Sequence, residues 1–383
     1  MAIDWNDLDA PIELPTGEAI DIRKQVGLRI WIRSNSQQAV VTTQFHHATC
    51  DGIGAYQFLG DWLWHYADLV GEAIDEPLPT LDVKLLRQRI RNSFDVEQYR
   101  RPDGSLETGP TKTLAKQCLF GAQPLSKPKR RDSEPNASGS NIFPALRGFE
   151  FDKDVYKDLR HVAEHRGQST NELLIERLLV TLRKWNQQQG GKGNRDLCIM
   201  MPMDLREITN RMATAANLVT YALIRRKQSQ CVESEALIDS IRQEMVMLKR
   251  DRFRTPFMNL IAHARRYPTW FKRWFSSRRC LATAILSNTG DPTKRFSVAF
   301  PRQKGLLKAG NLLMTDIYGV PPMRLGTRLT ISIFTYRRVL KICMRCDPHF
   351  FTPEQTQQLL DLYVQSIQHL LAAEQQPIAE QGV

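Results

Sequence analysis

The sequence predicts an α/β (α+β) chain of two lobes joined by a basic linker. Three observations carry this. Short β-branched runs alternate with helical stripes along most of the chain. The pattern is interrupted near 123–141 by a stretch with no periodicity and many turn formers, and it then restarts with the same mixture. A length of 383 residues accommodates two lobes of ordinary size.

Residues 27–33 and 39–45 are apolar and β-branched, joined by a turn-like Ser-Asn-Ser-Gln-Gln, and read as a hairpin running into His46 and His47. Beyond Gly54, residues 55–70 place Tyr56, Leu59, Leu63 and Tyr66 on one helical stripe, and an Arg-rich helix is expected over 81–92. After the break, a strand (147–151) and a helix (155–165) follow. The capping box Ser169-x-x-Glu172 then opens a helix reaching about Trp185. Strands are expected at 197–202 and 218–224, and the chain closes with strand 328–335, a tight turn at 336–338, strand 340–345 and helix 353–371.

Composition excludes several classes. Hydrophobic residues at 42% and charged residues at 25% give a soluble globular profile, with no apolar run of the roughly 18 residues a membrane span needs. The first eleven residues carry Asp4, Asp7 and Asp9 and no cation, unlike a secretory or mitochondrial leader. Seven scattered cysteines form no disulfide framework, so a cytoplasmic setting is expected. The net charge of +12 implies an anionic partner: a phosphorylated cofactor, an acidic protein, an anionic membrane or nucleic acid.

One motif carries chemistry. Phe45-His46-His47-Ala-Thr-Cys50-Asp51-Gly52 sets two histidines at a strand end, where a side chain is held rigidly yet reaches a cleft. Asp51 either orients an imidazole or anchors the loop through an ion pair, and Gly52 permits a positive φ or a close approach. Cys50 has no evident base partner, so covalent cysteine catalysis is not expected.

His46-His47-x-x-x-Asp51-Gly52 resembles the motif of the chloramphenicol-acetyltransferase-like superfamily, which includes peptide-synthetase condensation domains and wax-ester and alcohol acyltransferases. Pro202-Met-Asp-Leu-Arg206, Asn217 and Ser287-Asn288-Thr-Gly290 resemble later segments of that family, in the right order. The resemblance implies two lobes with mixed sheets flanked by helices and a cleft between them. The implied boundaries are 1–122 for the N-terminal lobe, 123–146 for a basic mobile linker and 147–383 for the C-terminal lobe. Only 45 residues precede the motif, fewer than in the family, so a trimmed first lobe or an internal start at Met1 is expected. Ala216 replaces the glycine of the family's Gly-Asn, and its Asp-Phe-Gly-Trp-Gly segment is missing.

By the same resemblance the chain is an acyltransferase moving an acyl group from a thioester to a hydroxyl or amine, with His47 as general base. A hydroxyl near ~15.7 lies about nine units above an imidazole near ~6.5, so full prior ionisation would cost roughly 12 kcal/mol and the proton must move as the bond forms. The resemblance also assigns His46 a supporting role at the strand end, gives Gly52 the task of keeping the substrate channel open, and pairs Asp51 with Arg206. Ser287 or Asn288 is the candidate oxyanion donor. No permanently bound cofactor or metal is implied. Acyl-coenzyme A or an acyl-phosphopantetheine carrier, itself an acidic protein, serves as co-substrate. The alternative is an inactive condensation-like protein that binds acyl or carrier partners.

Other signals are weaker. His161-x-x-Glu164-His165 has the spacing of a zinc motif, but both histidines fall off the apolar stripe of their helix. Cys343 and Cys346 sit three apart on a strand and so point to opposite faces. The segment from Tyr267 to Arg279 mixes aromatics with cations; burial of its rings is the simplest reading, with peripheral membrane or carrier contact as the functional one. Nucleic acid is not expected as a partner.

Overall fold

The computed structural model describes residues 3–4, 19–72, 74–80, 120–129, 146–191, 195–204, 206, 216–249, 269, 272–273 and 277–375. The chain runs through β1 (Ile3–Asp4), β2 (Leu28–Ser34), β3 (Ala39–Phe45), α1 (Gly52–Leu69), β4 (Arg147–Glu150), α2 (Lys153–His165) and α3 (Thr170–Gln188). There follow β5 (Leu197–Asp204), β6 (Val219–Arg226), α4 (Glu235–Leu248), β7 (Ala284–Gly290), β8 (Arg302–Gln303), β9 (Leu306–Ala309) and β10 (Leu312–Met314). The last elements are β11 (Leu329–Tyr336), β12 (Val339–Cys346) and α5 (Pro353–Gln375).

Six strands form the main sheet in the order β4-β12-β11-β7-β5-β6. The β5–β7 and β7–β11 pairs are parallel and the others antiparallel. Alternation along the strands sorts side chains to two faces. Leu197, Ile199, Ala284, Leu286, Ile331, Ile333 and Ile342 enter the large core under the helices. Cys198, Met200, Leu223 and Ile285 face the other way, against Ala122, Cys280 and Ala282. With both faces covered, the central strands read as near-continuous apolar runs, which is why β5 and β12 were visible in the sequence. The expected α/β (α+β) class, a mixed sheet flanked by helices, is borne out.

Helix α3 is the axis of the core. Ser169 Oγ accepts the Glu172 amide at 3.3 Å and the Glu172 carboxylate accepts the Ser169 amide at 2.9 Å, closing the capping box read from the sequence. Leu173, Leu174, Ile175, Leu178, Leu179 and Leu182 are fully buried, each such side chain contributing about 1.5–3 kcal/mol. Glu176 and Arg177 are buried with them; Arg166 reaches Glu176 and Glu374, and Arg177 reaches Glu176 and Glu233. Around α3 lie α2, α4 and α5.

The N-terminal elements are the β2–β3 hairpin, with β1 parallel to β2, and α1. Helix α1 is clasped by a later segment. It rests on the 3₁₀ turn Pro292–Arg295 and on β9, Tyr66 donates to Asn311 at 2.6 Å, and Lys308 pairs with Glu72 at 2.7 Å. Strands β8, β9 and β10 form an antiparallel sheet of their own. Neither this sheet nor α4 was read from the sequence.

Residues 123–129, within the expected linker, run against the main sheet. Leu125 is fully buried, the Gln123 amide donates to the Asp196 carbonyl at 2.8 Å, and the Ser126 amide to Asn186 at 2.7 Å. The helix expected over 81–92 lies outside the described residues. Among the described residues no helix is long and apolar enough to cross a membrane.

Candidate functional site

The site is built where β3 ends. The His46 amide donates to the Gly27 carbonyl at 2.8 Å, and the His46 carbonyl accepts the Thr49 amide and hydroxyl at 2.8 and 2.6 Å, so the loop leaves the strand in one fixed turn. His46 Nδ1 accepts the Ala48 amide at 3.1 Å, which ties that ring into the loop.

Asp51 has three tasks. As N-cap of α1 it accepts the Gly54 amide at 2.9 Å. It takes the Leu218 amide at 2.7 Å, and it receives both terminal nitrogens of Arg206 at 2.9 Å each. Arg206 also reaches Asp204 at 3.2 Å and the Ala216 carbonyl at 3.0 Å. Burial alone would lower the guanidinium's pKa; the hydrogen bonds and charge of Asp51, with Asp204, outweigh it and hold Arg206 above its usual range.

Main-chain contact completes the dock. The Asp51 amide donates to the Ala216 carbonyl at 3.1 Å, and a Cβ on Gly54 would lie 3.0 Å from the Ala216 amide nitrogen and carbonyl oxygen. Gly54 therefore admits the neighbouring chain, the role the sequence reading gave to Gly52. Gly52 corrects that expectation. It is the first residue of α1, so its φ is not positive, and a Cβ there would meet open space.

The dock places Asn217 on His47. Asn217 Nδ2 donates to the His47 carbonyl at 2.8 Å and faces His47 Nδ1 at 3.1 Å. Among the described residues nothing bonds to Nε2, and Asp51 makes no bond to His47. The structure thus gathers His47, Asp51, Arg206 and Asn217. Ser287 and Asn288 lie on β7 without a bond to His47; Asn288 donates to Asn171 at 3.3 Å and accepts the Gly290 amide at 3.2 Å. Tyr56, on α1, is half-buried, and its desolvation raises its pKa against the opposing hydrogen bond with Thr289. Asn217 entered the sequence reading only as a family match, because a contact across 170 residues leaves no local signal.

The weaker motifs separate from this site. His161 and His165 are exposed on α2, with His165 3.7 Å from Glu374. Among the described residues no group of three or more His, Cys, Asp or Glu is placed to hold a metal. Cys343 and Cys346 are buried, and burial pushes their thiols up to about 11 and about 12. Most of the segment from Tyr267 to Arg279 lies outside the described residues.

No family model and no curated protein matches the chain. Solved structures do. The first condensation domain of the CDA synthetase superposes with a TM-score of 0.53 at 13% identity, over 90% of this chain and 66% of that one. The fold is that of a condensation domain. The X-domain from teicoplanin biosynthesis gives 0.57 at 14% identity, over 93% and 75%. The starter condensation domain of rhizomide synthetase, solved with C8-CoA and Leu-SNAC, gives 0.55 at 13%, over 92% and 71%. The chain thus spans just under two thirds of the CDA synthetase domain, and what it shares with these condensation domains is architecture.

Proposed function

We propose that the chain is an acyltransferase, taking an acyl group from a thioester of coenzyme A or a carrier protein and passing it to a hydroxyl or amine. The observation that carries this reading is His47: its carbonyl and Nδ1 are engaged by Asn217, its loop is anchored through Asp51 and Arg206, and its Nε2 is left without a partner among the described residues. A ring so held turns one nitrogen to a reactant, and it serves as general base in the tautomer that leaves that nitrogen bare.

In this reading the acceptor's O–H or N–H lies against Nε2. Its proton moves to the ring while its heteroatom attacks the thioester carbonyl. The tetrahedral oxyanion then collapses, the C–S bond breaks, and the imidazolium returns the proton to the leaving thiolate. A base so placed typically contributes about 10²–10⁴-fold. Asp51 and Arg206 act on the frame, and Ser287 or Asn288 is the candidate donor to the oxyanion. The rhizomide synthetase domain solved with C8-CoA and Leu-SNAC supports a thioester donor. We place the N-terminal lobe before 123 and the C-terminal lobe after 146, with any membrane contact peripheral.

A panel of acyl-coenzyme A and acyl-carrier donors, offered with pooled alcohols and amines, tests the reading by thiol release. Release that depends on an acceptor supports it. Absence of release across all donors from the folded protein contradicts it.

A further inference from the structure

We propose that Asn217 sets the tautomer of His47, holding its proton on Nε2 in the resting protein. The inference rests on two contacts made by one atom. Asn217 Nδ2 lies 2.8 Å from the His47 carbonyl oxygen and 3.1 Å from His47 Nδ1. An amide nitrogen carries two hydrogens and accepts nothing, so whatever it meets must accept. The carbonyl accepts by nature. Nδ1 accepts only when it is bare, and a neutral ring with a bare Nδ1 carries its proton on Nε2.

The opposite amide orientation is ruled out by the same pair of contacts. Turning the amide over would set its oxygen 2.8 Å from the His47 carbonyl oxygen, two acceptors facing each other with no proton between them. The carbonyl contact therefore fixes the amide, and the amide fixes the ring. Asn217 is itself fixed: Ala216 before it accepts from Asp51 and Arg206, and the Leu218 amide after it donates to Asp51.

This deepens the acyl-transfer reading and rests on it only for the consequence to rate. With the proton on Nε2, His47 offers the site a donor rather than a lone pair. To act as base, the ring must take a proton from water on Nδ1 and release one to water from Nε2, with no net change, and it gives up the Asn217 bond in doing so. Loss of one such bond makes the base-competent tautomer a minority by about two- to tenfold. Asn217 is thus a positioning residue that restrains His47 until the Nδ1 contact is relaxed.

The test uses the full chain labelled with ¹⁵N-histidine, at a pH where the rings are neutral, with the His47 ring identified by its loss in His47→Gln. The expected spectrum shows Nε2 protonated and Nδ1 bare. Asn217→Asp, whose carboxylate accepts from Nδ1–H, should reverse the two nitrogens and move the acid limb of the pH–rate profile to higher pH. A wild-type ring with its proton on Nδ1 overturns the proposal, and so does a tautomer indifferent to Asn217→Asp and Asn217→Ala. The wild-type spectrum decides even if the variants do not fold. A silent thiol-release assay beside an Nε2-protonated ring would sink the acyl-transfer reading and leave this one standing.

Discussion

Arg206 grips Asp51 with two parallel hydrogen bonds of 2.9 Å, Nη1 to Oδ2 and Nη2 to Oδ1, across 155 residues of chain. Both side chains are almost wholly buried, at 1% and 2% exposure. A planar fork meeting a carboxylate in this way is the geometry that makes arginine, rather than lysine, the partner of choice.

Removing either partner strands a buried charge. Arg206→Ala or Asp51→Ala should therefore cost about 3–5 kcal/mol, read from chemical denaturation. Asp51→Ala also loses the α1 cap. An Asp51→Asn variant that lost activity with its stability intact would instead point to a direct role beside His47.

Stability should fall in alkali. Burial pushes Cys231 and Cys346 up to about 12 and Cys280 and Cys343 up to about 11. In the unfolded chain thiols titrate near ~8.5, so above that pH the unfolded state sheds protons that the folded state keeps. The unfolded state then binds fewer protons, and stability drops by up to about 1.4 kcal/mol per pH unit for each thiol until the folded value is reached. Denaturation midpoints at pH 7.5 and 10 check this; a flat profile would contradict it. For the same reason these thiols should resist alkylation in the native protein and react on unfolding.

The β11–β12 turn stores strain. Arg337 and Arg338 have φ of 55° and 65°, the primed two-residue turn that suits Asn-Gly. Arg337→Asn with Arg338→Gly should raise stability by about 1 kcal/mol and leave turnover unchanged. A loss of stability would mean that the arginine side chains outweigh the backbone.

How much of this was readable beforehand follows from distance along the chain. The Ser169–Glu172 box and the β11–β12 hairpin are local, and both were legible from residue type and spacing. The Asp51–Arg206 pair was expected only through family resemblance. The role of Gly54 was assigned to its neighbour Gly52, since the sequence marks a permissive residue without showing what approaches it. The segment that clasps α1 through Asn311 and Lys308 has short strands and no periodicity, so nothing local announced it.

Arg177 is fully buried on α3 and joins Glu176 to Glu233, the latter at 2.8 Å. Arg177→Ala should cost about 3–5 kcal/mol, whereas Arg177→Met with Glu176→Leu should restore much of that loss, because Arg166 keeps Glu374 as its partner, Glu233 is exposed to water, and no fully buried charge is then left unpaired. Thermal melts of the three proteins test this, and a double variant no better than the single one would contradict it.

The central claim is most directly tested by acceptor-dependent thiol release from a competent acyl donor, compared between the wild type and His47→Ala with melting temperatures measured in parallel. The account predicts release in the wild type and a fall of about 10²–10⁴-fold in the variant at an unchanged melting temperature. Undiminished release from a folded His47→Ala would contradict it.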